Sequence, residues 1–173
     1  MATIDLGRVP AYYHRYITRA EAPTLAGALA LRHDLLPLLR ALPAGTWDFA
    51  YAPGKWTIKE LVQHLIDGER IFAYRALCFA RGEKAALPGF EEDAYVANSS
   101  AGARSPESLV SELEHLFSST DDLFASLTEE ALERSGNANG KEVYVRAIGY
   151  IVSGHVLHHK SILEERYGVA ATA

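Results

Sequence analysis

Thr57 and Glu60 stand three residues apart, immediately ahead of an apolar run. At that spacing a threonine hydroxyl caps a helix and a glutamate reaches back to the cap's own amide. Trp56 before the cap and Leu61 after it are placed for a hydrophobic staple. From that start Leu61, Leu65, Ile71, Phe72 and Phe79 build one apolar face as far as Arg81, and Gly82 suits the position just past a helix end. A chain with so explicit a long amphipathic helix has to bury that stripe against other elements, and its remaining periodicity is helical too.

Ser105-Pro106-Glu107 is a second start, a capping residue followed by proline at the first helical position. Leu109, Leu113, Leu116, Phe117, Leu123, Phe124 and Leu127 then recur at helical spacing. A third long helix is predicted over Val143 to Tyr167, after the turn-rich Gly136-Asn137-Ala138-Asn139-Gly140, with Gly168 closing it. An earlier helix, about Pro23 to Leu42, carries Leu25, Leu29, Leu35, Leu36 and Leu39, and Pro37 should kink or break it. No convincing alternation marks a strand; Lys141 to Val145 is the one ambiguous piece.

The expected fold is all-α, a four-helix bundle in a single domain spanning residues 1–173, with a long crossover between helices 2 and 3. That crossover, Gly82 to Ser105, is long for a bundle connection. At ~3.3 Å per extended residue it crosses the full length of a ~36 Å helix, so the two helices it joins are free to run parallel. Such a segment can also cover a pocket, although a plain structural crossover is the simpler use.

Composition narrows the function classes. With 173 residues, 49% of them hydrophobic, the chain can bury a sizeable core without disulfides, and wholesale disorder is excluded. A net charge of −5 gives no broad positive field, so nucleic acid is not an expected partner. Cys78 is the single cysteine; no internal disulfide forms, which fits a reducing compartment. Met1 to Pro10 contains Asp5 and Arg8 and does not read as a signal peptide, and no run approaches the ~18 apolar residues of a membrane helix. The expectation is a soluble, cytoplasmic protein with no membrane partner.

The chemistry lies in the histidines. His155 and His159 are four residues apart and stack one turn apart on a helix. Tyr144, Ile148, Ile151, Val152, Ile162 and Leu163 share their face, so two imidazoles sit within the stripe that points into the bundle. His64 lies on the inward side of the capped helix, beside Leu61, Gly68, Ile71 and Arg75. Burying three imidazoles without partners is costly, and a divalent metal removes that cost by taking one lone pair from each neutral ring. Three protein ligands leave a position open for water or substrate, the arrangement of a catalytic site. At 1.5 Å per residue, antiparallel packing brings His64, ~9–10 Å from its helix start, level with His155 and His159, ~12–18 Å from their helix end.

His158, on the other flank of His155, is an alternative ligand to His159 at i, i+3, or a group that orients a ligand or touches substrate. His14, His33 and His115 read as structural or solvent-facing. Cys78 lies ~21 Å along the helix from His64, too far to share its ion, and reads as a packed thiol. Trp47 and Trp56 read as loop staples.

These residues resemble the DinB superfamily of damage-inducible-type bundles. The matching pieces are Gly54-Lys55-Trp56-Thr57-Ile58-Lys59-Glu60-Leu61-Val62-Gln63-His64-Leu65, Asp67-Gly68-Glu69-Arg70-Ile71, Gly154-His155-Val156-Leu157-His158-His159 and Ile162-Leu163-Glu164-Glu165-Arg166-Tyr167. The resemblance implies a bundle with a long second connection, often a homodimer, holding Zn²⁺ or Ni²⁺ on three histidines, here His64, His155 and His159. It also implies thiol-dependent chemistry, as in the bacillithiol S-transferases and the mycothiol-dependent maleylpyruvate isomerase.

The leading expectation is therefore an enzyme acting on a small-molecule substrate, in which the metal lowers the pKa of a low-molecular-weight thiol and the thiolate attacks an electrophile. Lys55, Arg70, Arg75 or Arg166 are candidates for a thiol cofactor's carboxylates. Asp67 is better placed than Glu69 to anchor a ligand ring. Hydrolysis by metal-bound hydroxide, or a non-catalytic metal-binding stress-response protein, are the alternatives.

Overall fold

Both helix starts written in the sequence are built as their spacing requires. In the computed structural model, which describes residues 4–169, the Thr57 hydroxyl accepts from the Glu60 amide and the Glu60 carboxylate accepts from the Thr57 amide at 2.7 Å. The Ser105 hydroxyl accepts from the Ser108 amide, with Pro106 at the first helical position. These caps open the long helices α4 (Ile58–Ala80) and α6 (Pro106–Ala125). Ahead of them stand α1 (Ala11–Arg19), α2 (Leu25–Leu31) and α3 (Leu35–Arg40); α5 (Glu92–Ala97) lies in the crossover. After α6 come α7 (Glu129–Leu132), a hairpin of β1 (Ser135–Ala138) and β2 (Lys141–Tyr144), and the long α8 (Val145–Arg166). The outermost residues of the expected 1–173 domain, 1–3 and 170–173, lie outside the described residues.

The four-helix bundle consists of α4, α6, α8 and the α2–α3 pair. Contacts between α4 and the start of α6 advance together, Lys59 with Gly102, Gln63 with Arg104 and Arg70 with Glu112, so these helices run parallel, as the crossover allows. Helix α8 runs antiparallel to α4: the Tyr167 hydroxyl donates to the Trp56 carbonyl at 2.6 Å where α4 begins, and Phe79 near its end packs at Gly136, ahead of α8.

Three sequence expectations need correction. The helix read over Pro23 to Leu42 is two helices joined by a 3₁₀ turn at Arg32–Asp34. Pro37 causes this one turn upstream of itself, because it offers no N–H and its ring would meet the carbonyl four residues back, leaving it in the first turn of α3. Helix α1 was not expected; it lies along α8. The segment 135–144 is an antiparallel hairpin, Ser135 opposite Tyr144 through Ala138 opposite Lys141, so α8 starts at Val145 rather than Val143. Its turn is Asn139-Gly140, both with positive φ, 54° and 71°, the pair a two-residue hairpin turn favours.

The core divides in two. One apolar cluster gathers Leu35, Leu39, Trp47, Ile58, Leu61, Leu65, Leu109, Phe117, Val156 and Leu163. The other gathers Tyr16, Phe72, Phe79, Phe124, Tyr144, Ile148 and Ile151. Along α4 the first ends at Ile66 and the second begins at Phe72; along α8 they meet between Val152 and Val156. The buried polar residues His64, Glu69, Ser153, His155 and Arg32 fall at or beside that seam. Among the described residues no helix is long and apolar enough to cross a membrane.

Candidate metal centre

His64 comes from the second turn of α4, and His155 and His159 from successive turns of α8. Antiparallel packing puts their rings together, with centroids 4.9 Å apart for His64 and His155, 4.9 Å for His64 and His159, and 4.7 Å for His155 and His159. One nitrogen of each ring lies within 4.8 Å of the other two. The Nε2 atoms of His64 and His155 approach to 2.9 Å. Two glycines permit this: a Cβ on Gly68 would crowd Cε1 of His155 at 3.2 Å, and Gly154 lets α1 lie directly on α8.

All three rings are held neutral. Burial lowers the pKa of His64 to about 4, opposed by the charge of Asp93. Burial, reinforced by the neighbouring rings, holds His155 and His159 well below the ordinary imidazole value. A neutral imidazole keeps a lone pair on one nitrogen, which is what metal ligation needs. Around the cluster stand Trp56, 4.8 Å from the His64 ring, Tyr16, 5.5 Å from His155, and Phe72, 6.0 Å from His155.

His64 and His155 of the cluster line a cavity of about 250 Å³ whose other walls come from α1, α4, the crossover and Asn139 of the hairpin turn. Helix α1 supplies Tyr12, Tyr13 and Tyr16, α4 supplies Phe72 and Arg75, and the crossover supplies Phe90, Glu91 and Glu92. The crossover is pinned where it arrives. The Leu87 amide donates to the Asn137 carbonyl at 2.9 Å, the Asn139 amide donates to the Leu87 carbonyl at 3.0 Å, and Arg75 donates to the Pro88 carbonyl at 2.9 Å. The crossover thus covers the pocket as well as spanning the bundle. Glu92 ends with a carboxylate oxygen 4.0 Å from the Nε2 of His64.

His158 stays out of the three-nitrogen group; its ring packs 5.1 Å from His159 and 5.6 Å from Tyr16. The Nδ1 atoms of His158 and His159 are buried without a hydrogen-bond partner. Of the four candidate cations only Arg75 lines the cavity; Arg70 pairs with Glu112, and Lys55 and Arg166 are exposed. Asp67 accepts from Gln63 at 3.0 Å and not from an imidazole. Glu69 faces away from the rings but not into solvent: it is buried against Arg32 at 3.3 Å, and Arg32 also reaches Asp121 at 2.8 Å. His14 bonds the Val9 carbonyl and His33 bonds Asp121, structural roles as expected. Cys78 packs at the edge of the core. Trp47 is buried in the core, whereas Trp56 touches the site.

The aromatic wall and Glu92 were not foreseen from the sequence. Tyr12, Tyr13, Tyr16 and Ile17 are spaced i, i+1, i+4, i+5 after Pro10, a helical signal that was there to be found. A larger cavity, about 820 Å³, lies away from the rings, bounded by Leu25, Leu29, Phe124 and Leu132.

A family model described as the DinB superfamily matches residues 29–163, which include the cluster and the crossover. The chain belongs to the DinB superfamily. Among solved structures, this DinB chain is similar to YfiT from Bacillus subtilis, described as "a probable metal-dependent hydrolase with an unusual four-helix bundle topology", with TM-score 0.70 and 18% identity over 98% of this chain and 93% of that one. It is also similar to the mycothiol-dependent maleylpyruvate isomerase, with TM-score 0.68 and 17% identity, covering 98% of this chain and 65% of that one. At these identities the likeness is one of fold. No curated protein sequence matches the chain significantly.

Proposed function

We propose that His64, His155 and His159 hold one divalent cation, zinc or nickel, and that the protein is a metal-dependent enzyme activating a low-molecular-weight thiol for S-transfer to an electrophile. The observation that carries this reading is the meeting of three neutral, inward imidazoles, two of which, His64 and His155, line an aromatic cavity. Three neutral imidazoles suit a divalent ion of this kind. Nitrogens sharing a tetrahedral metal at 2.0–2.1 Å stand about 3.3 Å apart. The 2.9 Å between His64 and His155 needs only a few tenths of an ångström of relaxation to match. Two facing imidazole nitrogens this close can share at most one proton, and a cation between them satisfies both lone pairs.

A cation bound there supplies one thing, a lowered pKa for a thiol at its open position, so that the thiolate is available near neutral pH. The protein's own groups do the rest. Arg75 is a fixed positive charge on the cavity wall, suited to a carboxylate of the thiol or the electrophile. Tyr13, Tyr16, Phe72 and Phe90 give the cavity an apolar lining that strengthens that electrostatic contact. Tyr16 keeps its phenolic proton, because burial and the neighbouring Tyr12 raise its pKa well above the usual value; its hydroxyl accepts from Arg15, and its ring packs edge-on against His155.

The likeness to a protein described as a probable metal-dependent hydrolase supports a second reading, hydrolysis on the same cradle. Elemental analysis of purified protein, with His64→Ala, His155→Ala and His159→Ala beside it, tests the cradle. About one metal per chain is expected in the parent, with loss in each variant while far-UV circular dichroism is unchanged. Protein that stays metal-free after incubation with zinc and nickel overturns both enzyme readings. Parallel assays of a thiol with a chlorinated aromatic electrophile and of a nitrophenyl ester decide between transfer and hydrolysis. A variant that loses its fold together with its metal favours a purely structural ion.

A further inference from the structure

Glu92 is the carboxylate closest to the histidine cluster, and it arrives from the crossover rather than from the helices that carry the rings. Its oxygen lies 4.0 Å from the Nε2 of His64, the same atom that faces His155 at 2.9 Å. Among the described residues no other carboxylate oxygen comes within 4.0 Å of a nitrogen of these three rings. Two features separate this contact from a chance surface pair. The crossover is pinned just before it, by the Leu87 bridge to β1–β2 and by Arg75 on the Pro88 carbonyl, so Glu92 has a defined place over the pocket. The Glu92 side chain is also 59% exposed while that of His64 is 3% exposed, which puts the carboxylate at the mouth and the ring at the floor.

We propose that Glu92 closes the open side of the centre as a fourth, displaceable ligand, and that an incoming anionic ligand must displace it. This rests on the three-histidine reading above. Two arguments carry it. Three neutral imidazoles leave a divalent charge uncompensated in a site of buried rings and aromatic walls, and one carboxylate halves that charge. In addition, ligands sharing a tetrahedral ion stand about 3.3 Å apart, so the Glu92 oxygen is about 0.7 Å from ligand spacing to His64, a gap its side-chain torsions can close. Because Glu92 rides on the crossover, its departure leaves His64, His155 and His159 in place. Displacement breaks only the bond to the carboxylate oxygen and forms one to the incoming donor. The freed carboxylate turns toward solvent, which it already half faces.

The test uses the full chain loaded with zinc or cobalt(II), as parent, Glu92→Gln, Asp93→Asn and His155→Ala. Zinc affinity is read by competition with a chromophoric chelator, at low salt and at 1 M sodium chloride. The visible cobalt spectrum is read alone and during titration with thiocyanate. Glu92→Gln is expected to weaken zinc about tenfold or more at both salt concentrations. It should also shift the cobalt bands and tighten thiocyanate about tenfold, while Asp93→Asn changes zinc affinity only at low salt. Equal weakening by Glu92→Gln and Asp93→Asn that vanishes at 1 M salt makes the effect diffuse charge attraction and overturns the proposal. So does a Glu92→Gln protein with unchanged zinc affinity and cobalt spectrum. His155→Ala tells the two readings apart: if it binds metal like the parent, the three-histidine centre itself has failed.

Discussion

Gly154 and Tyr16 touch backbone to backbone: a Cβ on Gly154 would stand 1.8 Å from the Tyr16 carbonyl oxygen and 2.4 Å from its carbonyl carbon. Neither atom belongs to a side chain that could turn aside. Gly154→Ala therefore has to push α1 off α8, taking Tyr12, Tyr13 and Tyr16 with it. The expected cost is about 3 kcal/mol, at the upper end of overpacking penalties, read as a lower urea midpoint. A loss below about 0.5 kcal/mol would mean that the two helices do not meet this way.

The buried histidines also set the acid limit of the metal-free protein. Their folded-state pKa values lie below the unfolded value of about 6.5, His64 at about 4. Between those values the unfolded chain binds more protons than the folded one, so stability rises with pH. Their contribution is intact above about pH 6.5 and is lost as the pH falls toward 4. Chelator-treated protein should lose thermal stability steadily over that window. In a His64→Phe variant the slope should be shallower, as followed by circular dichroism at a series of pH values.

Arg32, bridging Glu69 and Asp121, forms a second buried polar group apart from the histidines. Burial raises the carboxyl of Glu69 and the Arg32 charge opposes that shift. Arg32 also donates to the Leu29 carbonyl at 2.6 Å and the Phe117 carbonyl at 3.1 Å, tying the break between α2 and α3 to α6. Glu69→Ala should cost about 2 kcal/mol, because it strips one of two carboxylates from the buried Arg32 charge and leaves Asp121 as the other. The double variant Arg32→Met/Glu69→Leu should recover most of that loss. Metal content should stay at the parent level in both, which separates this pair from the histidine site.

Thr57→Ala removes one half of the capping box and should cost about 1 kcal/mol in denaturant unfolding without altering metal content. A larger loss accompanied by loss of metal would place the cap among the elements that set the height of His64.

The sequence was most legible where local chemistry decides the outcome. Thr57 with Glu60, and Ser105 with Pro106, mark helix starts through bonds made within four residues. The inward placement of His64, His155 and His159 follows from helical spacing, and the length of the crossover permits the parallel run of α4 and α6. What stayed hidden depends on partners distant in the chain. Glu69 has Arg32 as its partner, from another helix, so its angle on α4 identifies a side facing away from the rings and not a buried one. Helix α1 is short and its inward residues are tyrosines, which read as half-polar until α8 is set against them. The hairpin lacks alternation, which leaves Lys141 to Val145 ambiguous, and only Asn139-Gly140 carries its signature. Pro37 was recognised as a breaker, but its ring acts one turn ahead of itself.

The cavity has two kinds of wall. His64 and His155 stand on the long helices α4 and α8, whose faces are packed into the bundle. Phe90, Glu91 and Glu92 hang from a connection fastened at Leu87 and Pro88 and bear little of the core's weight. Insertions or exchanges beyond Pro88 can therefore redraw the entrance while the donor nitrogens keep their positions. A chain built on this plan can change the mouth of its cavity without disturbing the buried rings beneath it.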